Sequence, residues 1–159
     1  MQYFHKFYMG KIGMMYDTII GKIKRGDNVL TNSKEVEQLI ERSILVGVNL
    51  KHDAHFDYTM EELTNLAEAL NVQVVGCVTQ NLERVTPSHY VGTGKIEEIK
   101  ALYEETDANL IIFNDELSPS QIRNLERDLQ CKVIDRTMLI LDIFSRRAKT
   151  REAQLQVEL

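Results

Sequence analysis

A glycine-rich tetrapeptide in the middle of the chain has residue types that suit anion binding. Gly92-Thr93-Gly94-Lys95 stands directly before a predicted helix, where free backbone N–H groups attract phosphate. It is not the phosphate loop of nucleotide hydrolases, which needs Gly, four residues and then Gly-Lys-Ser/Thr. Two interpretations stay open: Gly92, Gly94 and Lys95 contact an anion or an RNA backbone, or the two glycines only shape a tight turn into the helix.

A cluster of cations near the C-terminal end of the sequence is a second candidate for phosphate binding. Four basic residues fall within six positions of a predicted helix. Arginine donates bidentate hydrogen bonds to phosphate, so such a cluster suits contacts with an RNA backbone. The alternative is a solvated helix surface on which Glu152 pairs with a cation. The candidate residues are Arg146, Arg147, Lys149 and Arg151.

Polar side chains also stand at the ends of three predicted strands. The carboxyl ends of parallel strands share one edge of a sheet, and small ligands bind in the crevice at that edge. The alternative is that the carboxylates cap or precede helix N-termini, where negative charge is favourable. The residues of this ligand-edge set are Thr79, Gln80, Asn114, Asp115, Glu116, Asp135 and Arg136.

Other chemistry receives little support from residue spacing. The segment 52–57 contains histidines and aspartates, but no further Cys or His stands in register, so we predict no metal site. Cys77 and Cys131 lie in separate apolar runs, which fits a reducing cytosol better than a disulfide framework. No Ser/His/Asp or Cys/His set is recognisable from spacing, and we predict no catalytic residue.

The elements that must position these residues have the pattern of an α/β fold. Buried strands joined by amphipathic helices predict a small parallel sheet of about four strands with helices on both faces. The sequence does not predict the order of the strands in the sheet. The apolar runs that predict the strands are 43–48, 72–78, 109–113 and 132–135.

Two helix starts carry recognisable N-terminal signals. Thr59 and Glu62 have the spacing of a capping box, in which the threonine caps the helix and the glutamate reaches back to it. Ser118 is followed by proline and then by Gln121, the same arrangement with proline at the first helical position. We therefore expect helices to begin directly after Thr59 and Ser118.

The last part of the sequence predicts a different element. From residue 137 an apolar stripe at helical spacing continues without glycine or proline, which predicts the start of a long helix of coiled-coil type. Because the pattern stops without a C-terminal cap, we expect the chain to be part of a longer protein; the alternative is a helix that frays at a natural end. We predict three regions: 1–40, an N-terminal extension of unknown role with two weak helical stretches, 41–136, the α/β domain, and 137–159, the start of the long helix.

Composition and charge bound the class of protein. The 159 residues are 43% hydrophobic and 27% charged, which is typical of a globular domain. The sequence has no run of about 18 apolar residues and no signal-peptide pattern, so we predict a cytoplasmic protein without a membrane span. Net charge is -5, and residues 41–136 hold 17 acidic against 9 basic side chains. Such an acidic body is not typical of a general nucleic-acid binder, so we expect any RNA contact to be local, at one end of the chain.

Six segments, taken in order, carry a resemblance to a known family. They are ERSILVGV (41–48), VVGCVTQ (74–80), YVGTGKIEEI (90–99), FNDELSPSQ (113–121), KVIDRT (132–137) and LILDIFSRRAKTRE (139–152). Their order and spacing resemble the N-terminal domain of the HflX family of ribosome-associated GTPases. The resemblance covers about residues 41–159, whereas residues 1–40 depart from the family pattern.

The resemblance implies a longer protein with more than one domain. In this family a parallel α/β subdomain precedes an antiparallel two-helix coil and a GTPase domain, which uses GTP and Mg2+. The phosphate loop, the magnesium-binding switch and the guanine-specificity motif have no counterpart in this sequence. We therefore expect no GTP hydrolysis and no cofactor for this chain alone. ATP binding by the N-terminal region is also proposed for the family.

Three functions follow from these expectations. The first is a ribosome-binding and regulatory domain that contacts rRNA of the large ribosomal subunit and its own GTPase domain. The second is a stand-alone ATP-binding domain, for which the ligand-edge set and the glycine pair would form the site. The third is an intramolecular regulator that tunes GTP hydrolysis.

Overall fold

The computed structural model describes residues 41–157, which form one parallel sheet and four helices. The strand order is β2-β1-β3-β4, so β1 and β3 are central and β2 and β4 are the edges. The predicted four-stranded parallel α/β fold is therefore confirmed. In chain order the elements are β1 (Arg42–Leu50), α1 (Phe56–Ala69), β2 (Gln73–Leu82), α2 (Thr93–Glu105), β3 (Leu110–Phe113), α3 (Pro119–Leu129), β4 (Lys132–Asp135) and α4 (Arg136–Val157).

Alternate residues of β1 point into two different packing layers. Ile44, Val46 and Val48 join the core formed with α2 and α3. Gly47 lies between Val46 and Val48 and faces α1. It has no side chain, which leaves room for the Phe56 ring. Helices cover both faces because both sets of strand residues are apolar or small.

Three expectations about boundaries and helix starts have different outcomes. The capping box at Ser118 is confirmed, with Gln121 N donating to Ser118 Oγ at 3.2 Å and Ser118 N donating to Gln121 Oε1 at 2.9 Å. The capping box predicted at Thr59 is wrong, because α1 already begins at Phe56. Thr59 is the fourth residue of this helix, and its hydroxyl donates to the Phe56 carbonyl. Strand β2 continues to Leu82, four residues beyond the predicted end.

Helix α4 begins at Arg136, one residue before the predicted start, and is 22 residues long. Its partner in a coiled coil is not seen among the described residues, so the coiled-coil type stays a prediction, as do the three predicted regions. The weak helical stretches expected in 1–40 lie outside the described residues. Of the helices described in 41–157, none has the length and apolar character needed to cross a membrane.

Candidate functional site

The topology places three of the seven ligand-edge residues near the edge where β1 and β3 lie side by side. The chain leaves β1 towards β2 on one side and leaves β3 towards β4 on the other, which makes this edge a topological switch point. Asn114 follows β3 directly, Asp135 is the last residue of β4, and Arg136 is the first residue of α4. The structure therefore brings these three residues together.

Arg136 connects α1 to the carboxyl ends of the central strands. Its guanidinium donates to Asn114 Oδ1 at 3.0 Å and to the Thr59 carbonyl at 3.2 Å, and it forms an ion pair with Glu62. Asn114, which is buried, donates in turn to Thr59 Oγ1 at 2.9 Å. These side chains satisfy one another in the crevice, which leaves fewer of their polar atoms for a ligand.

Asp135 has both carboxylate oxygens engaged by backbone N–H groups. Leu117 N donates to Oδ2 at 3.0 Å and Met138 N donates to Oδ1 at 2.9 Å. The bond from Met138 N caps the N-terminus of α4. The bond from Leu117 N holds the segment that leads to α3. Asp135 is buried, so the helix-capping alternative accounts for it well.

Tyr90 and Asp115 form a hydrogen-bonded pair beside this network. Burial raises the pKa of the Tyr90 phenol above its usual range, and the negative charge of Asp115 and the hydrogen bond to it raise the pKa further. Burial also raises the pKa of Asp115, while the Tyr90 hydrogen bond and the Arg136 charge oppose that shift. The ring of Tyr90 packs edge-on against Phe113, with centroids 6.3 Å apart.

The two glycines before α2 have different surroundings. Gly92 is the N-cap residue, its N–H donates to Gln80 Oε1 at 3.0 Å, and a Cβ there would lie 3.1 Å from Gln80 Nε2. A Cβ on Gly94 would meet nothing within 4 Å. Lys95 pairs with Glu98 at 2.7 Å. The tight-turn interpretation therefore explains Gly92, whereas packing does not require a glycine at position 94.

The cations of α4 are not equivalent. Arg146 donates to the Leu70 carbonyl, at the end of α1, at 3.3 Å and to Asp142 at the same distance. It therefore helps to fix α1 against α4. Arg147, Lys149 and Arg151 are exposed. Arg147 and Arg151 are four residues apart, which places them on one face of the helix.

Thr79, Gln80 and Glu116 take no part in the hydrogen bonds described for the crevice network. Thr79 and Gln80 are inside β2 rather than after it, and Thr79 is exposed on the opposite face from Gln80. Glu116 is exposed. In the part of the chain from 41 to 157, no three His, Cys, Asp or Glu side chains come close enough to hold a metal ion.

Sequence reasoning missed the pair that joins the loop before α2 to α3. His89 Nε2 and Asp128 Oδ2 are 2.6 Å apart, although 39 positions separate the two residues in the sequence. It also missed Tyr90, and it assigned Thr59 and Glu62 to a local cap. Spacing gives no signal for contacts between residues so far apart.

Comparison with known proteins shows the family. Residues 57–145, more than half of the chain, match the family described as GTP-binding GTPase N-terminal. The curated GTPase HflX of Alkalihalophilus pseudofirmus is 53% identical over 121 residues, and that of Escherichia coli strain K12 is 40% identical over 119 residues. The chain belongs to the HflX family of GTPases. The resemblance of the six sequence segments is therefore confirmed.

The HflX chain described here spans less than a third of the length of these two curated relatives. The two alignments cover 76% and 75% of this chain but only 29% and 28% of the relatives' own length. A crystal structure of SsGBP in complex with GDP has the same fold, with a TM-score of 0.55 and 24% identity, and the likeness covers 75% of this chain and 33% of that one.

Proposed function

We propose that this HflX domain binds the large ribosomal subunit through the rRNA backbone and thereby regulates the rate of GTP hydrolysis by the full-length protein. In this proposal the full-length protein is cytoplasmic and uses GTP and Mg2+. Membership of the HflX family and the exposed cations of α4 support the assignment. The single observation that carries the RNA contact is the pair Arg147 and Arg151, exposed on one face of α4.

The exposed face around this pair suits a nucleic-acid backbone. Phe144 is 60% exposed and lies three residues before Arg147, so an aromatic ring and guanidinium groups share the same surface. Such groups donate to phosphates and stack on bases. Lys149, Gly94 and Lys95 are further candidate contacts, whereas Arg146 is assigned to the packing of α1 against α4 instead.

Salt-dependent binding to purified large ribosomal subunits tests the proposal. The variant Arg147→Gln/Arg151→Gln loses two phosphate contacts. The negative slope of log affinity against log salt should therefore become less steep by about 1.5. The matched control Lys51→Gln/Arg123→Gln removes two exposed charges elsewhere and leaves the slope near that of the unchanged chain. If both variants bind alike, the assignment of the RNA contact to α4 is wrong.

The stand-alone ATP-binding function has less support. Asn114, Asp135 and Arg136 are engaged within the protein, and the body of the domain is acidic, which disfavours a polyphosphate without a nearby cation or metal. We expect no heat of binding on titration with millimolar ATP and Mg2+, and no GTP turnover by the chain alone. A clear binding isotherm with ATP would favour this function over ribosome binding.

A further inference from the structure

The two edge strands of the sheet differ in how well they are protected against pairing with another chain. Strand β4 is only four residues long and carries two charged residues, Lys132 and Asp135. Strand β2 is ten residues long and contains neither a charged residue nor a proline. Proteins usually protect an exposed strand edge with short length, charged side chains or proline. Strand β2 has none of these three features.

The inner edge of β2 is fully used by β1. The two strands pair from Gln73 to Leu82. Two further backbone bonds join the ends of β2 to residues that flank β1, from Gln73 N to Glu41 O at 2.8 Å and from Lys51 N to Leu82 O at 3.1 Å. Among residues 41–157, no strand pairs with the outer edge of β2. The backbone groups at that edge can therefore pair with a further extended strand.

A bulge limits the part of β2 that can accept such a strand. Ser43 pairs with Val74 and Ile44 pairs with Gly76, so Val75 is an extra residue in β2. A bulge bends its strand and interrupts regular pairing. From position 76 the pairing with β1 is regular up to the end of the strand. We call residues 76–82 the open edge of β2; seven residues of strand are about 23 Å long.

The charge of the domain favours a second copy of the chain as the partner of the open edge. Residues 41–136 hold 17 acidic against 9 basic side chains, so two copies repel each other over most of their surfaces. The open edge is uncharged, and two copies can meet there without placing like charges opposite each other. A charged peptide would find no opposite charge on these seven residues.

The sequence of the open edge also suits pairing with itself. Thr79 is its midpoint and is exposed. A two-fold axis through that point, perpendicular to the sheet, makes the two strands antiparallel and places Thr79 opposite the same residue of the second copy. The next pair in this register joins Val78 to Gln80. Threonine pairs of this kind stabilise antiparallel strands, and none of the opposed residues is charged.

We propose that the open edge of β2 is an interface between two copies of this chain. The two β2 strands pair antiparallel around a two-fold axis at Thr79, and the two sheets become one continuous sheet. The self-complementary patch is what a two-fold interface requires. This interface is independent of the proposed ribosome contact, which uses α4.

Charge variants at Thr79 test the interface and its register. The two-fold axis places residue 79 of one copy opposite residue 79 of the other, so Thr79→Lys or Thr79→Glu opposes like charges. Ala101→Lys, at an exposed position of α2, is the matched control. Sedimentation equilibrium at protein concentrations up to about 300 µM detects the weak association expected of a small interface.

We expect the unchanged chain and the control to form dimers. Each Thr79 variant alone should dimerise at least about tenfold more weakly, and an equimolar mixture of the two should recover dimers because lysine then faces glutamate. Hydrogen exchange of β2 amides in the unchanged chain should become slower as protein concentration rises, because the second copy protects the outer edge.

A cross-link provides a second measurement that does not depend on charge. Opposed Cα atoms in an antiparallel pair lie about 4.5–5.5 Å apart, which is within the range of a disulfide. The variant Cys77→Ser/Thr79→Cys should therefore form a covalent dimer when oxidised by dissolved oxygen with a copper catalyst. The control Cys77→Ser/Ala101→Cys should remain mostly monomeric under the same conditions.

Three results would overturn the proposal. A chain that stays monomeric at every concentration has no such interface, and slow exchange of its β2 amides would show that another segment of the same chain covers the edge. A dimer that persists in both Thr79 variants must form through a different surface. Failure of the mixed variants to recover dimers, together with no cross-link at position 79, would exclude the two-fold pairing at Thr79. None of these results bears on ribosome binding.

Discussion

Replacing Arg136 with alanine removes the donor group at the centre of the crevice network. The buried Asn114 side chain and the Thr59 carbonyl each lose a hydrogen bond. Leaving the buried Asn114 oxygen without its donor costs about 1–2 kcal/mol, and the half-buried Thr59 carbonyl loses about 0.5–1 kcal/mol. Glu62 is 45% exposed, so the lost ion pair adds less than about 1 kcal/mol. The sum predicts that Arg136→Ala lowers the free energy of unfolding by about 2–4 kcal/mol.

Urea denaturation followed by far-UV circular dichroism measures this loss. With a slope of about 2 kcal/mol per molar urea, the midpoint should fall by about 1–2 M. Two controls separate the causes. Glu62→Gln removes only the exposed charge and should cost less than about 1 kcal/mol. Arg123→Ala removes an exposed arginine from α3 and should change stability by no more than about 0.5 kcal/mol.

Two results would refute the reasoning about Arg136. One is a loss below about 1 kcal/mol for Arg136→Ala, which would mean that water replaces the guanidinium without cost. The other is an equal loss for Glu62→Gln, which would place the stabilisation in the ion pair rather than in the hydrogen bonds to Asn114 and Thr59. Arg136→Lys should lie between the unchanged chain and the alanine variant, because an ammonium lacks the planar fork that reaches two acceptors.

In the same urea assay, Gly94→Ala should leave the free energy of unfolding unchanged or raise it by up to about 1 kcal/mol, because the new methyl group meets open space and alanine favours the helix. Gly92→Ala should lower the free energy of unfolding by about 1 kcal/mol, because alanine is a poor N-cap residue. Burial raises the pKa of Cys131 to about 12, so alkylation followed by mass spectrometry at pH 8 should label the exposed Cys77 first; faster labelling of Cys131 contradicts its burial. Because the raised pKa of Tyr90 keeps it protonated in the folded state, unfolding releases its proton and stability should fall as pH rises above about 10. Tyr90→Phe should reduce that alkaline decline, and an unchanged pH profile would show that Tyr90 does not cause it.

Local patterns in the sequence were sufficient for the fold class. Each of the four strands contains an apolar run, and the cap at Ser118 uses partners only three residues away. The strand order could not be predicted, because apolar runs of similar composition do not indicate which strands pair with each other. The β2 boundary was missed because Thr79 and Gln80 are polar, although an edge strand with one exposed face accepts polar residues.

The sequence by itself determined the family, the four strands and the residue types available at the sheet edge, since these depend on local spacing and ordered segments. Only the tertiary structure decided what the residues do there. Thr59 has the spacing of a helix cap, but its hydroxyl accepts a hydrogen bond from Asn114. Its carbonyl accepts one from Arg136, which is 77 positions away in the sequence. Arg146 belongs to a cationic cluster, yet it binds the end of α1, 76 positions earlier. Polar groups take the partners that folding brings within hydrogen-bond distance, and sequence spacing does not encode those partners.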